Sequence, residues 1–130
     1  MDKEKYRHID GINEFLQYFP NKPWHCFSEI LEFKWYKEYD FEEWQNKICI
    51  DMKMTDTQNQ NTILFKFVDV SIEEYCTLDG YISGLDIINL QYGGTGYEST
   101  YEVVDSEDSH IHFYCKDVKL KVIAVDGKEI

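Results

Sequence analysis

Lys47-Ile48-Cys49-Ile50-Asp51-Met52-Lys53-Met54 and Ile63-Leu64-Phe65-Lys66-Phe67-Val68 are the two stretches whose reading decides the fold. In the first, Ile48, Ile50, Met52 and Met54 alternate with Lys47, Cys49, Asp51 and Lys53. A period of two is the mark of a strand with one buried face. The second run repeats the pattern, with Ile63, Phe65 and Phe67 against Leu64, Lys66 and Val68, and continues to Val70. Thr55 to Asn61 between them is polar and turn-like. The two runs are therefore expected to pair as an antiparallel hairpin.

Working toward the C-terminus, Leu85 to Leu90 is apolar and strand-like. Tyr101 to Val104 and His110 to Cys115 read as a second hairpin around the acidic turn Asp105 to Ser109. Val118 to Val125 supplies a last strand, ended by the turn pair Asp126-Gly127. Ser71 to Gly84 is broken by Gly80 and Gly84 and holds at most a short strand around Tyr81.

Toward the N-terminus, residues 27–36 read as a strand. One face carries Phe27, Glu29, Leu31, Phe33 and Trp35, and the other Ser28, Ile30 and Glu32. Ile9, Ile12, Phe15, Leu16 and Phe19 fall at helical spacing, and Pro20 and Pro23 stop any helix. The expected helix spans residues 10–18, with Asp10 as its N-cap. The fold expected is mainly β (α+β): an antiparallel β-sandwich or a strongly curved sheet of about six or seven strands, with one short N-terminal helix. At 130 residues the chain is read as one globular domain, residues 1–130.

Charge narrows the function. Twenty-five acidic residues face 13 basic ones, a formal net charge of −12. Such a surface repels nucleic-acid phosphates and anionic lipids, so neither nucleic acid nor a membrane is an expected partner. A basic protein would be drawn in quickly. Met1 to Arg7 is charged and leads into no apolar run, and no stretch has the roughly 18 apolar residues of a membrane span. A cytoplasmic protein with reduced thiols is expected. Cys26, Cys49, Cys76 and Cys115 have no Cys-x-x-Cys spacing, and Cys49 and Cys115 read as core fillers.

Catalytic and metal motifs are weak. Gly93-Gly94-Thr95-Gly96 lacks the Lys of a phosphate-binding loop and reads as a strand connection. His110 and His112 share a strand face, but a zinc site needs further ligands from Glu102 or Cys115, and Cys115 is an odd number of residues away from both. His25 and Cys26 are adjacent and would point to opposite faces of a strand. No enzyme activity, cofactor or metal is expected.

The most informative segment is Lys34 to Trp44. It sets Trp35, Tyr36, Tyr39, Phe41 and Trp44 among the carboxylates Glu38, Asp40, Glu42 and Glu43. Aromatic anchors ringed by charge are the composition of protein-binding hot spots. Tyr36, Tyr39 and Trp44 are the expected anchors, with Glu38, Asp40, Glu42 and Glu43 steering and pairing. Asp105, Glu107 and Asp108 form a second acidic cluster expected to join this surface. The competing structural reading has Trp35, Phe41 and Trp44 covering the core.

Three stretches carry a resemblance: Trp24-His25-Cys26-Phe27-Ser28-Glu29-Ile30; Ile63 to Val70, ending Phe-Val-Asp-Val; and the run from Gly84-Leu85-Asp86-Ile87-Ile88 through Tyr101-Glu102-Val103-Val104 to Ile111-His112-Phe113-Tyr114-Cys115. Together they resemble small acidic immunity proteins of bacterial polymorphic-toxin loci, over about residues 15 to 120. Those relatives often carry Phe-His-Asp-Ser-Glu where this chain has His25 to Glu29. Only Ser28 and Glu29 keep register, and the aspartate is missing. The resemblance implies a β-rich binding protein without catalysis, here one that docks on a basic toxin domain. Two other readings compete. One is a carbohydrate or small-ligand binding sandwich using Tyr92, Tyr97 and Trp44 as stacking platforms. The other is a small hydrolase built on His25 or His110. A bare sheet edge would also allow a homodimer.

Overall fold

Alternation along the second and third strands sets the architecture. Strand β2, Gln45–Thr55, buries Ile50, Met52 and Met54, and β3, Thr62–Val68, buries Ile63, Phe65 and Phe67. They pair antiparallel with Ile50 opposite Phe67 and Met52 opposite Phe65, so the apolar rows lie on one face. The structure is a computed structural model. It describes residues 6, 9–56, 58–71, 81–82, 84–90, 101–105 and 111–130, the side chain of Trp24 excepted.

The remaining described strands are β1 (Glu29–Asp40), β4 (Leu85–Asn89), β5 (Tyr101–Asp105), β6 (His112–Cys115), β7 (Asp117–Val125) and the short β8 (Lys128–Glu129). They form a curled five-stranded antiparallel sheet in the order β1-β2-β3-β7-β8, and a smaller sheet in the order β4-β5-β6. The mainly β fold is thus as expected, with eight strands rather than six or seven. Both expected hairpins are present. Tyr81 forms an isolated bridge to Glu29 rather than a strand.

One core joins the layers. Ile50, Met52, Phe65, Phe67, Val118 and Leu120 of the large sheet meet Leu85, Ile87, Val103, Ile111 and Phe113 of the small one. Phe67 and Phe113 touch edge to face, with ring centroids 5.1 Å apart. Helix α1, Ile12–Tyr18, closes one side through Ile12 and Phe15. Phe15, Phe19 and Phe27 make a compact aromatic cluster, with centroids 5.3 to 6.0 Å apart.

Three local expectations are corrected. The helix starts at Ile12, its N-cap is Gly11, and no side chain caps it. Asp10 is held by its backbone instead: its N–H donates to Val118 and its C=O accepts from Leu120. That bridge brings the chain so close to β7 that a Cβ on Gly11 would lie 1.8 Å from the Leu120 carbonyl oxygen. In β1 the alternation breaks at a bulge between Ile30 and Glu32. An extra residue resets the faces. Ile30 and Phe33 now share the inward side, opposite Met54 and Met52, while Leu31 is 52% exposed. Cys115 joins the core, but Cys49, though fully buried, lies on the other face of the large sheet, outside the core.

Candidate functional site

Strand β1 and the start of β2 form a ribbon that outruns the sheet. Pairing of β2 with β3 ends at Cys49 opposite Val68, whereas β1 and β2 stay paired to Asp40 opposite Gln45. Four residues per strand, roughly 13 Å at the usual rise, therefore project beyond the sheet before the turn Phe41–Trp44.

The turn is braced from within. Asp40 Oδ1 accepts the backbone N–H groups of Glu42 at 2.8 Å and Glu43 at 3.2 Å. Lys47 Nζ lies 2.9 Å from Asp40 Oδ2 and 3.4 Å from Glu43 Oε2. Lys47, and then the two N–H groups, hold the Asp40 carboxyl below the usual carboxylate range. Gln45 donates to Glu43 at 2.8 Å. Trp44 closes the loop with φ +57°, a left-handed conformation. For a bulky residue that is a genuine outlier, where hairpin loops normally place Gly or Asn.

On this frame Phe41 and Trp44 are each 74% exposed, Trp35 50% and Tyr39 42%. Trp35, Phe41 and Trp44 therefore do not cover the core as the structural reading had them do. Tyr39 and Phe41 contact edge to face with centroids 4.8 Å apart. A β-hairpin tip that shows this much aromatic surface on a braced turn loses little entropy when a partner covers it.

The other expected residues fall into three groups. Tyr39, Asp40, Glu42, Glu43 and Trp44 sit together at the tip, and Glu38 stands beside them, 2.9 Å from Lys66. Tyr36 does not join them as a free anchor. It lies half-buried on the outer face and donates its hydroxyl to Asp51 at 2.9 Å. Burial, and then that bond, push its pKa up to about 12. Asp105 is removed from any surface: it is fully buried at the end of β5 that pairs with Leu85. The opposite end of β5, at Tyr101, pairs with Cys115, two residues before β7 begins. Glu107 and Asp108 lie outside the described residues, as do Tyr92, Tyr97 and His110.

Two features were absent from the sequence reading. Phe41, which the competing structural reading placed over the core and which was not among the expected anchors, is an exposed aromatic. Beneath the hairpin, a groove of about 490 Å³ runs over the outer face, lined among others by Glu38, Phe41, Lys47, Lys66, Lys119 and Cys49. Its opposite charges are largely paired, Lys66 with Glu38, Lys47 with Asp40 and Lys116 with Asp69. Burial pushes the Cys49 thiol up, which makes it a poor nucleophile.

On the small sheet, His112 Nε2 lies 2.6 Å from Glu102 Oε2, and Tyr114 donates to the same oxygen at 3.3 Å. Glu102 thus meets His112 as the metal reading required, yet among the described residues no group of three His, Cys, Asp or Glu is placed to hold a metal ion. His25 and Cys26 sit in a 3-10 turn, Trp24–Cys26, rather than a strand. Among the described residues no helix is long and apolar enough to cross a membrane. No protein-family model matches the chain, and no curated protein or solved structure matches it either.

Proposed function

We propose that this chain is a protein-binding module, an immunity-type inhibitor whose β1–β2 hairpin docks on a basic bacterial toxin and blocks it. One observation carries the reading: Phe41 and Trp44, each 74% exposed, are presented on a turn that Asp40 and Lys47 hold in a single shape. Exposed aromatics on an ordered element are the usual anchors of a hot spot. The surrounding carboxylates favour a basic partner and set the rate of encounter.

Glu42 is the carboxylate best placed to steer. It is exposed, and among the described residues it makes no ion pair, whereas Asp40 and Glu43 are engaged by Lys47 and Glu38 by Lys66.

The test is co-expression of this chain with the protein encoded beside it in its genome, reading growth rescue and complex formation. Rescue with a stable complex is the expected result. With the partner in hand, Phe41→Ala with Trp44→Ala should cost at least tenfold in affinity, mostly through faster dissociation. Glu42→Lys should slow association several-fold at low salt and little at high salt. A neighbour that is harmless, or that kills regardless, removes the toxin reading.

A further inference from the structure

Strand β1 is an edge. Among the described residues, its outer rim meets only Tyr81, in the isolated bridge to Glu29. The direction of the rim's backbone groups follows from β2. The Ile48 carbonyl accepts the Val70 N–H at 2.9 Å, on the side away from β1. Ile48 and its opposite residue Lys37 are therefore a pair that exchanges no hydrogen bonds, and Lys37 turns its own N–H and C=O outward. By alternation Phe33, Trp35 and Tyr39 do the same. Past the bulge the strand runs from Glu32 to Asp40, and its midpoint is Tyr36.

We propose that a second copy of this chain docks antiparallel on this rim, in the register centred on Tyr36, joining two five-stranded sheets into one. In that register every outward-facing residue finds a match. Phe33 pairs with the partner's Tyr39, and Trp35 pairs with the partner's Lys37, each twice over. Lys34 falls opposite the partner's Glu38, again twice, so opposite charges face each other on the outer side. On the inward side the Lys37 ammonium lies beside the partner's Trp35 ring, a favourable cation–π contact.

Neighbouring registers are worse. Centring on Trp35 sets Glu32 against the partner's Glu38 and leaves Tyr39 facing the bulge. Centring on Lys37 sets that lysine against the partner's Lys37. The one unfavourable pair in the chosen register is Glu32 with the partner's Asp40, and Asp40 is already compensated by Lys47 at 2.9 Å. The turn Phe41–Trp44 lies beyond the last pair, so Phe41 and Trp44, the two residues that carry the proposed docking, stay free.

Sedimentation equilibrium on the full chain, from micromolar to submillimolar concentration, reads the association without any toxin. A dimer is expected. Lys37→Pro removes an outward N–H while leaving the ladder to β2 intact, and should abolish the dimer. Register is read by disulfide trapping in a Cys26→Ser, Cys49→Ala, Cys76→Ser background, because Cys49 stands directly opposite Tyr36 on β2 and would otherwise compete for the new thiol. Tyr36→Cys puts the two thiols face to face, at about 4.5 Å between Cα atoms in a pair of this kind, and should trap a covalent dimer on oxidation. Lys34→Cys should not. A chain that is monomeric throughout the range overturns the proposal, as does a dimer in which Lys34→Cys crosslinks as readily as Tyr36→Cys. If Lys37→Pro fails to fold, the trapping pair decides alone.

Discussion

Gly11 shows how a single residue can hold a helix against a sheet. Its φ of +91° is open to glycine and costly for anything else, and the missing Cβ makes room for the Leu120 carbonyl. Gly11→Ala must therefore strain the turn and also push α1 from β7. We expect a loss of about 3 kcal/mol in urea unfolding, combining both effects. A loss below about 1 kcal/mol would mean that the helix approach adjusts easily.

Asp56 is the residue through which acid reaches the fold. It is 3% exposed at the turn between β2 and β3. Burial works against its charge, but Lys22 at 2.7 Å, the Asn61 side chain at 2.6 Å and the N–H groups of Gln60 and Asn61 outweigh it. The carboxyl is brought down to about 2 from an ordinary 3.8. A depressed folded-state pKa gives stability that is full above the unfolded value and lost as pH falls toward the folded one. Asp56→Asn should therefore cost about 2 kcal/mol at neutral pH. The gap between variant and wild type should close between pH 4 and pH 2, which unfolding curves at stepped pH will show. A gap that persists at pH 2 would assign the loss to packing instead.

At the scale of elements, the β1–β2 hairpin combines a well-formed ladder with an ill-suited turn residue. Trp44 is left-handed and 74% exposed, so its ring contributes little packing to offset the strained backbone. Strain of this kind persists where another role holds the residue in place. Trp44→Gly is expected to raise stability by about 1 kcal/mol while weakening the docking proposed above. Thermal or urea unfolding of the free variant checks the first half. A destabilised variant would show that the indole supports the turn.

The same hairpin marks how far sequence reasoning reaches. Strands β2, β3 and β7 were legible because a half-buried strand writes its two faces directly into the alternation of Ile48 to Met54, Ile63 to Val68 and Val118 to Val122. The bulge at Leu31 was not, since one inserted residue leaves the letters unchanged and swaps the faces. Asp10 looked like a cap because an aspartate before an apolar repeat usually is one; its backbone was committed to β7 through a contact a hundred residues away in the chain. The aromatic and acidic composition of the tip was visible, but the exposure of Phe41 depends on the ribbon outrunning β3. Charge argued that Asp105 was exposed, and only the packing of β5 buries it.

At the scale of the whole molecule, the acidic excess is not spread evenly. Cross-strand registry on the outer face of the large sheet aligns Lys34, Asp51, Lys66 and Lys119 in one row, and Glu32, Lys53, Leu64 and Lys121 in the next. Five lysines thus stand on that face against two carboxylates in those rows. A basic partner is turned away there and meets the excess negative charge elsewhere, including the hairpin tip. The inner face of the same sheet has the complementary task of binding the molecule together.

Because that inner face shares one core with the small sheet, the two sheets should unfold as a unit. Phe113 is the pivot: it is fully buried on β6 and rests edge-on against Phe67 of β3. Phe113→Ala leaves a cavity that neither sheet can close alone and should cost about 4 kcal/mol. Native-state hydrogen exchange distinguishes a shared core from two stacked ones. If the core is shared, the amides of Phe65 in the large sheet and Val103 in the small one exchange at the same free energy, and the substitution lowers both by the same amount. If the small sheet opens by itself, Val103 exchanges first, and the loss appears there while Phe65 keeps its protection.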